Sequence, residues 1–330
     1  MATSGNYILT VTRDDIIAEA LTIVGVLSEG YPTPNGYQSE KAQFKLNLIT
    51  AQWAGLGDGA RGMKLWKRTR ADLLLSGTKS IYSIGPNAGS DQWAADLLTT
   101  TLSAAAAGGA TSITVTTVTG IVSGAYIGVG LANGSLYWTT VSGAPAGNVV
   151  TLLAALPSAA NSGGMIFSYT TLAQQPMQIL AATLRDNTNT DTPLRMNALE
   201  TYESLPTKAN PNSGGDPTGI YFERGLGIGN ATLYLDNYPI DLTKRVHLTF
   251  LVPSQTFVSG TDNPDYPAEW FRPLAYQLAL DTGVTLGTPG EVMAGIKILR
   301  DESLALAQNQ NAEETDYYFE PNREDGRFYR

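Results

Sequence analysis

The spacing of apolar residues changes along this chain, and the changes mark its parts. Near the start, Ile17, Ala20, Leu21, Val24 and Leu27 recur with helical spacing. Ala42, Leu46, Ile49 and Trp53 do so again at steps of four, three and four. Thr12 stands where a helix cap belongs, with Asp15 three positions on, and Gly25 or Gly30 closes the run. Residues 31–36 are turn-forming by composition, and Ser39 caps the second run, so the two helices form an antiparallel hairpin. Towards the other end, residues 263–283 carry Trp270, Leu274, Leu278 and Asp281 at steps of four, four and three, with Phe271 and Ala275 beside them. Tyr266-Pro267 offers a proline at the first helical position, while Pro273 bends the helix or delays its regular start. A last helix opens at Thr288-Pro289-Gly290-Glu291 and lines up Val292, Ile296, Leu299 and Leu306 on one face. The helix at 263–283 is too apolar on one side to stand alone, and the helices of the opening hairpin are its expected partners.

Between these ends the period shortens to two. Strand-like runs occur at 72–75, 80–84, 177–184, 194–199, 220–222, 231–235 and 246–252. No Asp, Glu, Lys, Arg or His lies between Asp96 and Arg185. Within that stretch SITVTTV, AYIGVGL, LYWTTV, VVTLLAAL and MIFSYTT alternate with Gly and Asn turns, the pattern of a small all-β module. The expected class is therefore α+β: a helical bundle made from both chain ends (an N-terminal helical hairpin plus two C-terminal helices), a β-rich middle and an inserted all-β module. By residue, 1–60 and 263–312 form the helical core, 61–98 and 172–262 the β-rich region, 99–171 the module and 313–330 an extended C-terminal arm.

Composition narrows the chemistry. The chain has 330 residues, 43% hydrophobic and only 15% charged, which suits folded domains with large surfaces that do not all face water. Its net charge of −9 is the wrong sign for gripping a phosphate backbone broadly, and the right sign for a surface that must not adhere to DNA. There is no cysteine, so thiolate catalysis, disulfides and Cys-based metal sites are excluded. No signal peptide and no membrane span are expected. No cofactor is expected either.

The single histidine, His247, lies in RVHLTFLV, where alternation sets it with Thr249 and Leu251 opposite Val246, Leu248 and Phe250. A structural role is the simpler reading than a catalytic one. Gly57–Gly62 lacks the Gly-Lys-Ser/Thr ending of a P-loop, and Gly225–Gly229 precedes a strand rather than a helix, so both read as turns. The run DNTNTD at 186–191 has a calcium loop's composition without its sixth-position glycine or twelfth-position glutamate, and reads as a hairpin turn. Arg61, Lys64, Lys67, Arg68 and Arg70, with Trp66 among them, are candidate DNA-channel or inter-subunit charges; a seam against an acidic neighbour is preferred to a nucleic-acid contact. Asp265, Glu269 and Asp281 leave open a paired-carboxylate hydrolase, whose carboxylate separation sequence does not set. Tyr317, Tyr318, Phe319, Phe328 and Tyr329 crowd the last eighteen residues and are costly to expose, so they are candidate partner-binding residues on an arm.

The order of several blocks carries a resemblance. TRDDIIAEALTIVGVL, a turn and EKAQFKLNLITAQWAG are followed by SIYSIGP, PMQILAATLRDNTNTDTPLRMNALETYESLPTK, GDPTGIYFE, ATLYLDNYP and PAEWFRPLAYQLALDTGV. Together they resemble the head-to-tail adaptors, also called tail accessory or packaged-DNA stabilisation proteins, of short-tailed bacteriophages. The resemblance covers most of 10–95 and 172–310; the module at 99–171 and the long tail depart from it. It implies a non-enzymatic virion protein at the portal vertex, made in the host cytoplasm. Such a protein forms a homo-oligomeric ring, usually a dodecamer, that binds the portal protein above and seats the downstream tail or nozzle protein below. Double-stranded DNA passes through the channel, held after packaging and released at ejection, without sequence-specific binding, and no membrane is involved. Lumen acids are expected among Asp14, Asp15 and Glu19 or Asp301 and Glu302. Two alternatives remain: a tail-associated cell-wall hydrolase using paired carboxylates, and a carbohydrate-binding tail module protein built on 99–171.

Overall fold

The computed structural model describes residues 9–27, 33–55, 68–76, 79–87, 89, 91–206, 208, 214–225 and 229–310. It is a mixed α+β chain with helices at both ends and a β-rich middle. Two compact units account for it, one comprising Met1–Lys67 with Ser254–Arg330 and the other Arg68–Pro253.

In the first unit, α1 (Arg13–Ile23) begins at Thr12 with a full capping box: the Thr12 hydroxyl accepts from the Asp15 amide, and Asp15 Oδ2 accepts from the Thr12 amide at 2.9 Å. The Thr12 hydroxyl, donating to Asp15 Oδ2 at 2.7 Å, and then the Thr12 amide hold the Asp15 carboxyl below its ordinary range. Helix α2 (Gly36–Gly55) buries Ala42, Leu46, Ile49 and Trp53. Pro267 caps a short 3-10 turn, Ala268–Trp270, and α4 (Phe271–Leu286) starts only after it, which places Pro273 in the first helical turn, where its missing N–H costs nothing. Gly287, at φ 73°, ends α4 in the left-handed conformation, and α5 (Gly290–Gln310) follows. Helix α4 touches α1, α2 and α5, and Trp53 meets Trp270 with ring centres 5.7 Å apart in the core they share.

The register of α5 differs from expectation. Of Val292, Ile296, Leu299 and Leu306, only Ile296 is buried; Ser303 and Ala307 complete the buried line, while Val292, Leu299 and Leu306 lie exposed beside it. A β-carbon on Gly283 of α4 would stand 2.6 Å from Met293 Sδ, so Met293 of α5 seats over this glycine, and Met293 and Leu304 pack against the shared core beside Ile296 and Ala307. Asp281, counted with the apolar positions of α4, is half-buried, and desolvation raises its pKa against the pull of Gln277, Lys45 and Arg300.

The second unit contains two sheets that face each other across one apolar core. The first runs in the order β11 (Asp191–Pro193), β10 (Gln178–Arg185), β15 (Arg245–Leu251), β1 (Arg68–Leu74), β3 (Trp93–Ala94). The second runs β12 (Arg195–Met196), β13 (Gly219–Glu223), β14 (Ala231–Leu235), β2 (Ile81–Ile84). Strand β1 starts at Arg68, four positions earlier than its apolar residues suggest, because Arg68 and Thr69 pair with Leu251 and Phe250. Residues 199–203, the start of which was expected to be extended, form the short helix α3 (Leu199–Glu203). The segment between β3 and β10 adds a four-stranded sheet, β4 (Leu98–Thr101), β9 (Met165–Tyr169), β6 (Tyr126–Gly130), β7 (Leu136–Thr140), and a pair, β5 (Ser112–Thr114) with β8 (Val149–Thr151). These strands enclose a core of their own that includes Ile113, Ile127, Val150 and Ile166. Asp96, just before β4, accepts from the Thr170 and Thr171 amides just after β9 at 3.1 Å, so one carboxylate ties the two ends of the segment together.

Candidate assembly surfaces

The helical unit is apolar outside as well as inside. On α2, Tyr37, Phe44 and Leu48 recur at steps of seven and four and are 71%, 64% and 55% exposed, on the side away from Leu46 and Trp53. On α5, the line Val292, Leu299 and Leu306 is exposed at two steps of seven. The two lines therefore belong to different helices, each packed on α4 by its other residues. Exposed apolar residues repeated along one side of a helix are candidates for a contact surface.

Polar side chains fix the helices that carry these lines. Arg13, buried at the start of α1, donates to Gln43 Oε1 of α2 at 2.7 Å and to the Val258 carbonyl at 3.2 Å. Asn47 is doubly bonded to the backbone of Phe257, accepting at 2.8 Å and donating at 3.0 Å. Lys45 donates to the Asp281 carbonyl at 2.6 Å and to Thr285, and burial lowers its pKa. These bonds join α2 to α4 and to the 257–262 loop, giving the outer face of α2 a rigid backing.

No protein-family model matches this chain, and no match to it was found among the curated proteins.

The residues singled out in the sequence fall into distinct places. Tyr317, Tyr318, Phe319, Phe328 and Tyr329 lie outside the described residues, as do Arg61, Lys64 and Lys67. Arg68 and Arg70 are exposed on the opening turn of pairing between β1 and β15. Of the acids, Asp14 is paired with Arg13 and Asp301 with Arg300, both at 2.7 Å, and Asp15 is spent on the cap; Glu19 and Glu302 are exposed. The loop at 186–190 is a tight turn between β10 and β11, with Asp186 Oδ1 accepting from the Thr188 and Thr190 amides and Asn189 at φ 62°. The Thr190 amide, the Thr188 hydroxyl and the Thr188 amide hold the Asp186 carboxyl below its ordinary range, with a smaller pull from Lys244.

His247 stands in a row with Thr183 on β10 and Asp72 on β1, its register partners on either side. Its Nδ1 is 3.0 Å from Asp72 Oδ1, and the same oxygen accepts from Arg245 Nε at 3.2 Å. Arg245 is only 5% exposed and also donates to Asn189 Oδ1 at 2.7 Å. Hydroxyl, imidazole and carboxylate in line have the residue types of a nucleophilic relay. Here, however, the carboxylate already neutralises a buried guanidinium, which is the costlier charge to leave alone. Asp72 of β1 thus serves Arg245 and His247 of β15, and the ion pair joins these two strands. Alternation along β15 shows that His247 shares a face with Thr249; the partner on β1 was not legible, because the pairing of strands so far apart in sequence leaves no local mark.

Proposed function

We propose that this chain is a structural connector of a phage virion, forming a ring of twelve copies below the portal that extends the DNA channel and seats the next tail component. In this reading the helices from both chain ends form a bundle that is the ring wall, the strands at 99–171 form an inserted module, and the protein resides at the portal vertex. The observation that carries the reading is the pair of dissimilar apolar lines, on α2 and on α5, displayed by one helical unit. A closed ring is built from heterologous contacts, so each copy needs two different faces that complement each other, whereas a two-fold dimer needs one. The net charge of −9 also favours a lumen along which DNA slides without adhering. No helix among the described residues is long and apolar enough to cross a membrane.

The test uses one face at a time. Phe44→Glu with Leu48→Glu spoils the α2 line, and Leu299→Glu with Leu306→Glu spoils the α5 line. In the presence of portal protein the unaltered chain is expected to give a ring by mass measurement, and each variant alone is expected to give none. An equimolar mixture of the variants should yield pairs that stop at two copies, since one good face remains on each. Rings formed by either variant alone, or no ring from the unaltered chain on portal, would overturn the reading.

A further inference from the structure

The directions of three helices decide how two copies can meet. Lys45, midway along α2, donates to the Asp281 carbonyl and to Thr285, close to the end of α4. Trp53, close to the end of α2, packs on Trp270, just before α4 begins. Helix α2 therefore runs against α4. So does α5. Its Met293 lies over Gly283, and further along it Arg300 donates to Gln277 Oε1, nearer the start of α4, at 2.6 Å. Two helices that each oppose α4 point the same way, so the exposed lines on α2 and α5 run in one direction.

Neighbours in a closed ring are related by a rotation about one axis, about 30° for a ring of twelve. A turn that small leaves a helix pointing nearly as before. The α5 line of one copy therefore meets the α2 line of the next with both helices running the same way. In that arrangement the two lines match step for step. With Tyr37 beside Val292, Phe44 stands beside Leu299 and Ala51 beside Leu306, all of them exposed. Where parallel helices pack through such a line, the residue just before a line position on one helix faces the residue four beyond the matching position on the other. That rule sets Glu291 against Lys41, and Ile298 against Leu48. An acid meets a cation, and two exposed apolar side chains cover one another.

We infer that α5 of one copy lies parallel to α2 of the next, with Leu299 seated on Phe44 and Glu291 paired with Lys41. The occupant of each exposed line is thus a second copy of this chain. The inference rests on the connector reading and adds to it the direction and the register of the seam.

The absence of cysteine lets the seam be read by cross-linking the full chain on portal protein. Tyr37→Cys with Val292→Cys brings thiols of neighbouring copies together when the helices run parallel. Tyr37→Cys with Leu306→Cys does so when they run antiparallel. Mild oxidation of rings of the first variant is expected to give a ladder of covalent oligomers, in a yield roughly tenfold above that of the second. Charge reversal reads the register. Lys41→Glu and Glu291→Lys should each lower the yield of rings roughly tenfold, and the two in one chain should bring most of it back. An unaltered chain that gives no ring on portal would end the connector reading and the seam together. Rings linked as well or better through the Leu306 pair, or through neither pair, would leave the connector standing and overturn the parallel seam. So would a double reversal no better than the single ones.

Discussion

The helical unit and the β unit hide their apolar residues by different rules. In the β unit, two facing sheets and a separate strand module close over their own cores, and the large apolar side chains left outside, such as Ile81, Leu153, Leu180 and Ile240, are scattered. In the helical unit a shared core around α4 is just as tightly closed, yet α2 and α5 each carry a further ordered apolar line in the open. Scattered exposure is normal for a protein surface, whereas a line at helical spacing on a well-backed helix is a face awaiting a partner. The contrast teaches where to look for assembly. Each unit closes a core of its own, and in the proposed ring it is the helical unit that supplies the contact faces.

That comparison can be broken by making each unit fail separately. The largest effect is expected from Trp270→Ala, which empties a site 1% exposed and removes the partner of Trp53. A loss of about 3–5 kcal/mol is expected. Hydrogen exchange should rise throughout α1, α2, α4 and α5 while β10, β15 and β1 keep their protection; a uniform loss would show that the halves are one cooperative block. Asp72→Ala should do the reverse. It strands the buried Arg245 without its carboxylate and should cost the β unit about 3 kcal/mol, with Arg245→Met in the same chain restoring much of it. If the double variant is no more stable than Asp72→Ala, the ion pair is not what that face depends on.

The smallest effect sharpens the picture by its dependence on pH. Burial raises the Asp281 pKa in the folded state, so folding favours the protonated carboxyl. The stability this group contributes is present below its unfolded pKa and is lost as pH rises through the higher folded value. Asp281→Asn keeps an acceptor for Gln277 and removes the charge. It is expected to stabilise the helical unit at neutral pH by less than about 1 kcal/mol, since the group is only half-buried, and to lose that advantage in acid. A destabilisation at neutral pH would mean that the attraction of Lys45 and Arg300 outweighs desolvation.

How much of this was legible beforehand follows from how local each signal is. The cap at Thr12 and Asp15, the buried sides of α1 and α2 and the strands at β6, β7, β14 and β15 all follow from residues within a few positions of one another. The face of α5 differs from expectation because its apolar residues lie on more than one side: Met293, Ile296, Leu304 and Ala307 face the core, where Val292, Leu299 and Leu306 were expected, and hydrophobicity by itself does not choose between the two lines. Helix α3 was missed because five residues hold too little periodicity to distinguish it from extended chain. The strand order β11-β10-β15-β1-β3 joins segments from both sides of the charge-free stretch, and nothing in any one strand names its neighbour. The two outward apolar lines were within reach of the sequence, since Tyr37, Phe44 and Leu48 repeat as regularly as the core does, but only the packing tells which repeat is turned in.

The carboxylate of Asp96 sets where the chain departs from the first sheet and where it comes back. Departure and return are clasped at one point, so the span of chain strung between them does not itself set the spacing of β3 and β10. Yet the segment is more than an ornament: its Phe167 and Tyr169 share an apolar cluster with Leu74 of β1 and Ala94 of β3, so whatever occupied this position would have to cover them.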